Sequence, residues 1–319
     1  GVRLWGPAVQ LYSLRSDRNW GVGDFTDLQK VCEWSAQSLG AGMVGVNPLH
    51  ALRNSRPYHI SPYSPDSRLY LNELYVDIEQ VPEWADCQAA HTILGGQTGQ
   101  YDLEQLRRSP VVEYDQVIGL KRRIFEVLFD ECVQRHLDGR GLEAVTSRGT
   151  AFLAFVKREG EALEHYALFQ ALRERFEQGA TPVWGWQEWP VEYQDPRSPA
   201  VLAFRLEHAT RVLFFQYVQW VAAEQLTAVM QTCRHHEMVI GLYHDLALGS
   251  DRSGSDAWRC QSVLALQADC GAPPDAFAPQ GQNWGLPPFN PVRLRDEGYA
   301  VFIELLRHNL RYGGALRLD

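Results

Sequence analysis

No stretch of about eighteen apolar residues occurs anywhere in the 319-residue chain, so nothing in it has the length a membrane-crossing helix needs. Even the richest segment, Val212 to Met230, is broken by Gln216, Gln219, Glu224 and Gln225. Runs of lysine or arginine are missing too, and the formal net charge is −9. Such a chain repels polyanions on average, which argues against nucleic acid and for a neutral or cationic partner. There is no C-x-x-C pair among the six cysteines (32, 87, 132, 233, 260 and 270). That spacing does not suit zinc, and the density is too low for a disulfide framework, so they read as buried thiols in a reducing cytoplasm. No G-x-G-x-x-G is present either; Gly21-Val-Gly-Asp24 lacks its third glycine, and a dinucleotide-binding fold loses its main support. Residues Gly1 to Leu14 show no basic segment followed by a long apolar one, so no secretory leader is read there. The chain opens without methionine and stops at Asp319 directly after an apolar run, and both ends read as cut.

What is present is ordinary globular composition, 45% hydrophobic and 22% charged. Four short apolar segments read as buried parallel strands: Ala8–Ser13, Met43–Asn47, Met238–His244 and Ala315–Asp319. Between the first two lies a helix that Asp24 can cap, with Asp27 three residues on and Gly40 to stop it. Leu28, Val31, Cys32, Ser35 and Leu39 share one of its faces. A long helix from about Ala203 to His235 precedes the third strand, and Pro199 stands just upstream. Ser255 can cap a helix reaching about Ala268, and Tyr299–Arg311 leads through Gly313 and Gly314 into the fourth strand. Residues 70–198 interrupt the alternation with helical patterns at Leu120–His136, Thr150–Lys157 and Ala162–Gln178, and with the aromatic cluster Trp184–Pro190. They read as an insertion, dividing the chain into strands 1–2 (1–69), a mostly helical insertion (70–198) and the third and fourth strands with their helices (199–319).

Alternating strands and helices of this kind mean an α/β fold, either a doubly wound sheet or half of a (β/α)8 barrel. The four strand ends deliver Ser13–Arg15, Asn47–His50, His244–Asp245 and Arg317–Asp319. Polar groups recurring at one end of every strand favour a barrel with its site on that face.

Asp319 ends an apolar strand two positions after Arg317, and side chains two apart point the same way. A guanidinium beside a carboxylate keeps it ionised, which a glycosidic nucleophile requires, although a structural ion pair would look the same. Asp245 can accept hydrogen bonds from sugar hydroxyls or cap the turn that follows it. In Ser61-Pro-Tyr-Ser-Pro-Asp-Ser67 two prolines fix the backbone around Tyr63, whose ring can pack on a pyranose face or simply belong to a braced turn. The stretch 271–288 lacks periodicity yet is aromatic, and Gln282 with Trp284 would offer an amide beside a stacking surface. His235 and His236 have no third ligand nearby and read as helix-end histidines rather than metal ligands.

Several segments resemble one family. They are Gln10-Leu-Tyr-Ser-Leu-Arg-Ser16 with Asn19-Trp-Gly-Val-Gly-Asp-Phe25, Asn47-Pro-Leu-His-Ala-Leu52, Ser61-Pro-Tyr-Ser-Pro-Asp-Ser-Arg68, Gly271-Ala-Pro-Pro-Asp275, Gly281-Gln-Asn-Trp-Gly285 and Gly314-Ala-Leu-Arg-Leu-Asp319. In this order they look like amylomaltase, a 4-α-glucanotransferase, and more like its larger bacterial members than its short thermophilic ones. The resemblance implies a (β/α)8 TIM barrel of which this chain supplies about four βα units, truncated at both termini. It also implies transfer of an α-1,4-glucan segment to a new 4-hydroxyl by retaining double displacement, with no metal or organic cofactor. Asp319 matches the nucleophile and Arg317 the arginine that orients it. Tyr63, Asp245, Gln282 and Trp284 match glucan-contacting positions, and Ser61 and Trp258 sit in the same loops. The partner is then a maltooligosaccharide or α-glucan, not nucleic acid or membrane. The family's general-acid glutamate and third aspartate fall beyond Asp319, so residues 1–319 alone are expected to be inactive. An α-glucan hydrolase or debranching enzyme, or a non-catalytic glucan-binding fragment, are the rival readings.

Overall fold

Asp24 and Asp27 tie off the first helix reciprocally. The Asp24 carboxylate accepts from the Asp27 N–H at 2.9 Å, and the Asp27 carboxylate accepts from the Asp24 N–H at 3.2 Å. Gly40 ends the same helix at φ 62°, a left-handed conformation that costs glycine nothing. The structure is a computed structural model that describes residues 3–55, 59–138, 143–179 and 182–318. Its strands are β1 (Ala8–Val9), β2 (Met43–Val46), β3 (His50–Ala51), β4 (Ser67–Leu71), β5 (Gly241–Leu246), β6 (Gly271–Ala272), β7 (Gln282–Asn283) and β8 (Ala315–Leu318). Its helices are α1 (Phe25–Leu39), α2 (Gln88–Gly95), α3 (Gln97–Arg108), α4 (Tyr114–His136), α5 (Ser147–Glu177), α6 (Pro199–Glu207), α7 (Ala209–His235), α8 (Ser255–Arg259), α9 (Pro291–Asp296) and α10 (Ala300–Leu310).

Strands β1, β2, β5 and β8 form one parallel sheet in that spatial order. Each sheet strand lies beside its predecessor and helices fill the connections, so the fold is α/β and carries four βα units of a (β/α)8 barrel. Among the described residues the sheet stays open at β1 and β8. The mostly helical segment stands between β2 and β5, and α7 packs on α1 on one side and α5 on the other. One apolar core runs from Leu11 through the helices to Leu305, with Phe152 stacked on Trp220 at 5.0 Å.

Several sequence-based boundaries need correction. β1 stops at Val9, because the Leu11 N–H turns away to donate to the Asn47 side chain at 2.7 Å and a 3₁₀ turn follows. β5 begins at Gly241, whose φ of +74° breaks the segment after Met238, and it runs to Leu246, so Asp245 lies within the strand. The helix before it is two helices, broken at His208 (φ −112°, ψ 30°), and it starts at Pro199 under a Ser198 cap. The two patterns in 150–178 hold as two helical segments within α5, parted at Gly160, where φ is +60° and ψ −142°. Ser255 is not a cap: Gly254 holds that place, and α8 ends at Arg259 because the chain turns to bridge Leu264 to Phe289. Two antiparallel pairs, β3–β4 and β6–β7, were unexpected. The second is built from the stretch taken as having no element.

Candidate active site

Register decides which side chains meet at the sheet's C-terminal end. Across the parallel pair β5–β8, Asp245 lies opposite Arg317. Arg317 Nη1 donates to Asp245 Oδ2 at 3.2 Å, and Tyr63 Oη donates to the same oxygen at 3.2 Å. Asp245 is 8% exposed, whereas Arg317 keeps 48% of its side chain and Tyr63 39% of its surface open. A buried carboxylate thus gathers two donors that solvent can still reach. It does not cap the turn after it.

The loop between β3 and β4 presents Tyr63. The Ser64 N–H donates to the Ser61 carbonyl at 3.1 Å and the Tyr63 N–H to Ser61 Oγ at 3.4 Å, closing a turn between Pro62 and Pro65. Its base is held by Asp66, whose N–H donates to Ala51 and whose carboxylate pairs with buried Arg173. Gly254 packs so closely there that an added Cβ would come within 2.6 Å of the Asp66 carbonyl oxygen.

After β5 the chain is fixed by two residues that sequence reasoning did not assign. His50 Nε2 accepts the Ala247 N–H at 3.3 Å, and burial, with Arg68 and His244 nearby, pushes the imidazole down to about 3, so it stays neutral and can accept. Arg68 Nη1 donates to the Ala247 and Leu248 carbonyls at 3.3 and 2.8 Å. His244, also buried, donates from Nε2 to the Tyr312 carbonyl at 2.7 Å. Burial lowers its pKa while that carbonyl opposes the shift. It lies so near Gly313 that a Cβ there would sit 2.3 Å from its ring. A histidine or arginine beside an apolar strand was the available signal, and it does not specify a partner.

Ser61, Tyr63, Ser64, Leu248, Trp284 and Leu286 line a cavity of about 360 Å³. Trp284, 44% exposed, donates from Nε1 to Gln282 Oε1 at 3.0 Å, and its N–H donates to the Cys270 carbonyl. Gln282 therefore commits its carbonyl oxygen to the neighbouring indole and not its NH2. An open indole face, a phenol, two hydroxyls and apolar walls suit a ligand with alternating apolar faces and hydroxyl edges. Among the described residues no group of three histidine, cysteine or acidic side chains is placed to hold a metal.

Trp258 and Asp319 do not join this cluster among the described residues. Trp258 has no exposed surface; it packs on Phe169 and Trp189, and its Nε1 donates to the Tyr193 carbonyl at 3.0 Å. A covered indole offers no face to a glucan, so Trp258 is a core residue. Asp319 lies outside the described residues, and the hydrogen bond seen for Arg317 reaches across the sheet to Asp245.

A profile of the family described as 4-alpha-glucanotransferase matches residues 9–319. The chain belongs to the 4-alpha-glucanotransferase family. The 4-alpha-glucanotransferase of Haemophilus influenzae is 39% identical over 320 residues, covering 99% of this chain and 45% of the relative. That of Mycobacterium tuberculosis H37Rv is 37% identical over 326 residues, covering 100% of this chain and 42% of the relative. The chain spans about half the length of the curated relatives it matches. Among solved structures, the amylomaltase of Corynebacterium glutamicum superposes with a TM-score of 0.79 at 31% identity, covering 99% of this chain and 40% of that one. The amylomaltase of Streptococcus agalactiae, solved in complex with acarbose, gives 0.76 at 17% identity over 98% of this chain and 58% of its own, a likeness of fold. Within the 4-alpha-glucanotransferase family, then, this chain carries four barrel strands, with Asp245 and Arg317 paired near their C-terminal ends. No helix among the described residues is long and apolar enough to cross a membrane.

Proposed function

We propose that these residues form the glucan-holding and nucleophile-bearing part of a retaining 4-α-glucanotransferase. The observation that carries the proposal is the convergence of Tyr63 and Arg317 on one oxygen of buried Asp245, beside the cavity walled by Trp284. In this reading residues 1–69 and 199–319 supply the barrel and 70–198 its insertion. Support for a sugar ligand comes from the aromatic and hydroxyl lining, and from the acarbose bound by the Streptococcus agalactiae relative.

Asp319, two residues after Arg317 in the sequence, is the proposed nucleophile, and Arg317 is the proposed guanidinium that would keep it ionised. Its carboxylate oxygen bonds to the anomeric carbon as the glycosidic C–O bond breaks. The departing 4-oxygen takes a proton from a second carboxyl, which a retaining site holds about 5–5.5 Å from the first. In the second step a glucan 4-hydroxyl attacks the same carbon, gives up its proton to that base and releases Asp319. Transfer wins over hydrolysis when the acceptor is held in place and water kept out, the task assigned to Tyr63, Gln282 and Trp284 with Ser61 at the rim. The second carboxyl has no candidate within residues 1–319, so these residues alone are expected not to turn over. The cytoplasm is the proposed location, in keeping with six unpaired cysteines.

The test is maltotriose disproportionation by the full-length protein. Longer maltodextrins should form with little new reducing sugar, and Asp319→Asn should lower kcat by roughly three orders of magnitude or more. Net hydrolysis would move the protein to the hydrolase class, and an active Asp319→Asn form would remove the nucleophile assignment.

A further inference from the structure

Arg252 lies in the turn after β5, outside the cavity, and two distant parts of the chain converge on it. Its carbonyl oxygen accepts Nε1–H of Trp186 at 3.1 Å and Nε2–H of Gln187 at 2.9 Å, both from the aromatic turn of the helical insertion. Its guanidinium donates to the Ala268 carbonyl at 2.8 Å and pairs with the Asp269 carboxylate. The other oxygen of that carboxylate accepts Asn283 Nδ2–H at 2.9 Å. Asn283 stands between Gln282 and Trp284, and its Oδ1 accepts the Gly285 N–H at 2.8 Å.

A continuous series of hydrogen bonds therefore runs from the insertion to the cavity wall. Its far end is anchored, since Trp186 is buried in the core. A second tie reinforces that end: Ser253 Oγ and Gln187 Oε1 are 3.3 Å apart, and an added Cβ on Gly185 would meet both side chains. The near end needs support. The β6–β7 hairpin consists of two residue pairs, and its tip reaches Phe277, which is fully solvent-exposed. A two-residue ladder does not hold its own position in water. Backbone bonds of Cys270 to Leu286 and Trp284 fix its root, and Asp269 and Arg252 add the side-chain tie that joins Asn283 to the turn after β5.

We infer that Arg252 is a positioning residue, which couples the helical insertion to the hairpin carrying Gln282 and Trp284 and so sets the indole against the Tyr63 side of the cavity. This rests on the glucanotransferase reading for its consequence, though not for its geometry. The pair is partly solvent-exposed, so removing it should leave overall stability nearly unchanged while loosening the hairpin.

The experiment compares wild type, Arg252→Ala, Arg252→Lys and Asp269→Asn in the full-length protein. Hydrogen exchange should speed up about tenfold or more in residues 270–286 of the alanine and asparagine variants, with melting temperature unchanged. The KM for maltotriose should rise about five- to tenfold with kcat within about twofold, and more glucose should be released to water. Arg252→Lys should recover part of each effect, and the Arg252→Ala/Asp269→Asn double variant should be no worse than either single one. Unchanged exchange in 270–286 would overturn the coupling, and faster exchange with unchanged KM would overturn its bearing on the glucan. If wild type transfers no glucan at all, the functional reading fails, while the exchange measurement still decides whether Arg252 holds the hairpin.

Discussion

Asp245→Asn separates what the buried carboxylate does for folding from what it does for the site. Asparagine has the same shape, and its Oδ1 can take the place of the oxygen that now accepts from Tyr63 and Arg317, so both 3.2 Å contacts can persist. Only the charge goes. Arg317 is half open to water, and a pair of that kind contributes about 0–1 kcal/mol to stability. Unfolding in urea should therefore shift by less than about 1 kcal/mol. Activity is different, because in the proposed function a bound glucan would cover the cavity and remove that water. A hydrogen bond to a charged group is then worth about 1.5–3 kcal/mol, so kcat/KM for maltotriose should fall roughly 10- to 150-fold. Tyr63→Phe removes one neutral hydroxyl from the same oxygen and should cost less, about two- to tenfold. The assay is initial-rate disproportionation beside a urea melt of each protein. A variant that unfolds early yet retains wild-type kcat/KM when folded would refute the reasoning, since Asp245 would then be a structural ion-pair member and nothing more.

Trp258→Ala should destabilise the fold by about 3–5 kcal/mol, seen as a lowered urea midpoint, and should leave the KM of the folded fraction unchanged; a selective rise in KM would restore Trp258 to the site. His50 is held neutral with its pKa pushed down to about 3, well below the ordinary 6.5, so the unfolded chain binds the extra proton between those values. Stability from His50 is thus fully present above about pH 6.5 and is lost as pH falls, at about 1.4 kcal/mol per unit. The advantage of wild type over His50→Gln in urea should shrink by about 2 kcal/mol between pH 7 and pH 5, and a constant advantage would mean that His50 is not buried as the neutral acceptor.

Local chemistry made much of the architecture readable. Asp24, Asp27 and Gly40 bound α1 whatever surrounds them, because caps act within one turn, and Gly160 divides α5 for the same reason. The apolar strands announced a parallel sheet through burial on both faces. Tyr63, Asp245 and Arg317 could each be named as polar residues at strand ends or on a braced loop. Their meeting could not be, since it depends on Asp245 falling opposite Arg317 in the register and on Asp66 and Gly254 docking the Tyr63 loop against α8. Trp258, on α8, and Trp284, just after β7, are the same residue type. One is sealed in the core and the other lines the cavity, because Phe169, Trp189 and the Tyr193 carbonyl cover the first and the β6–β7 hairpin holds the second out. Sequence alone determined the caps of α1, the existence of the four sheet strands and the family's motifs, all written in short-range patterns. Tertiary structure alone decided which polar groups share an oxygen and which indole sees solvent, because those depend on packing between residues far apart in the chain.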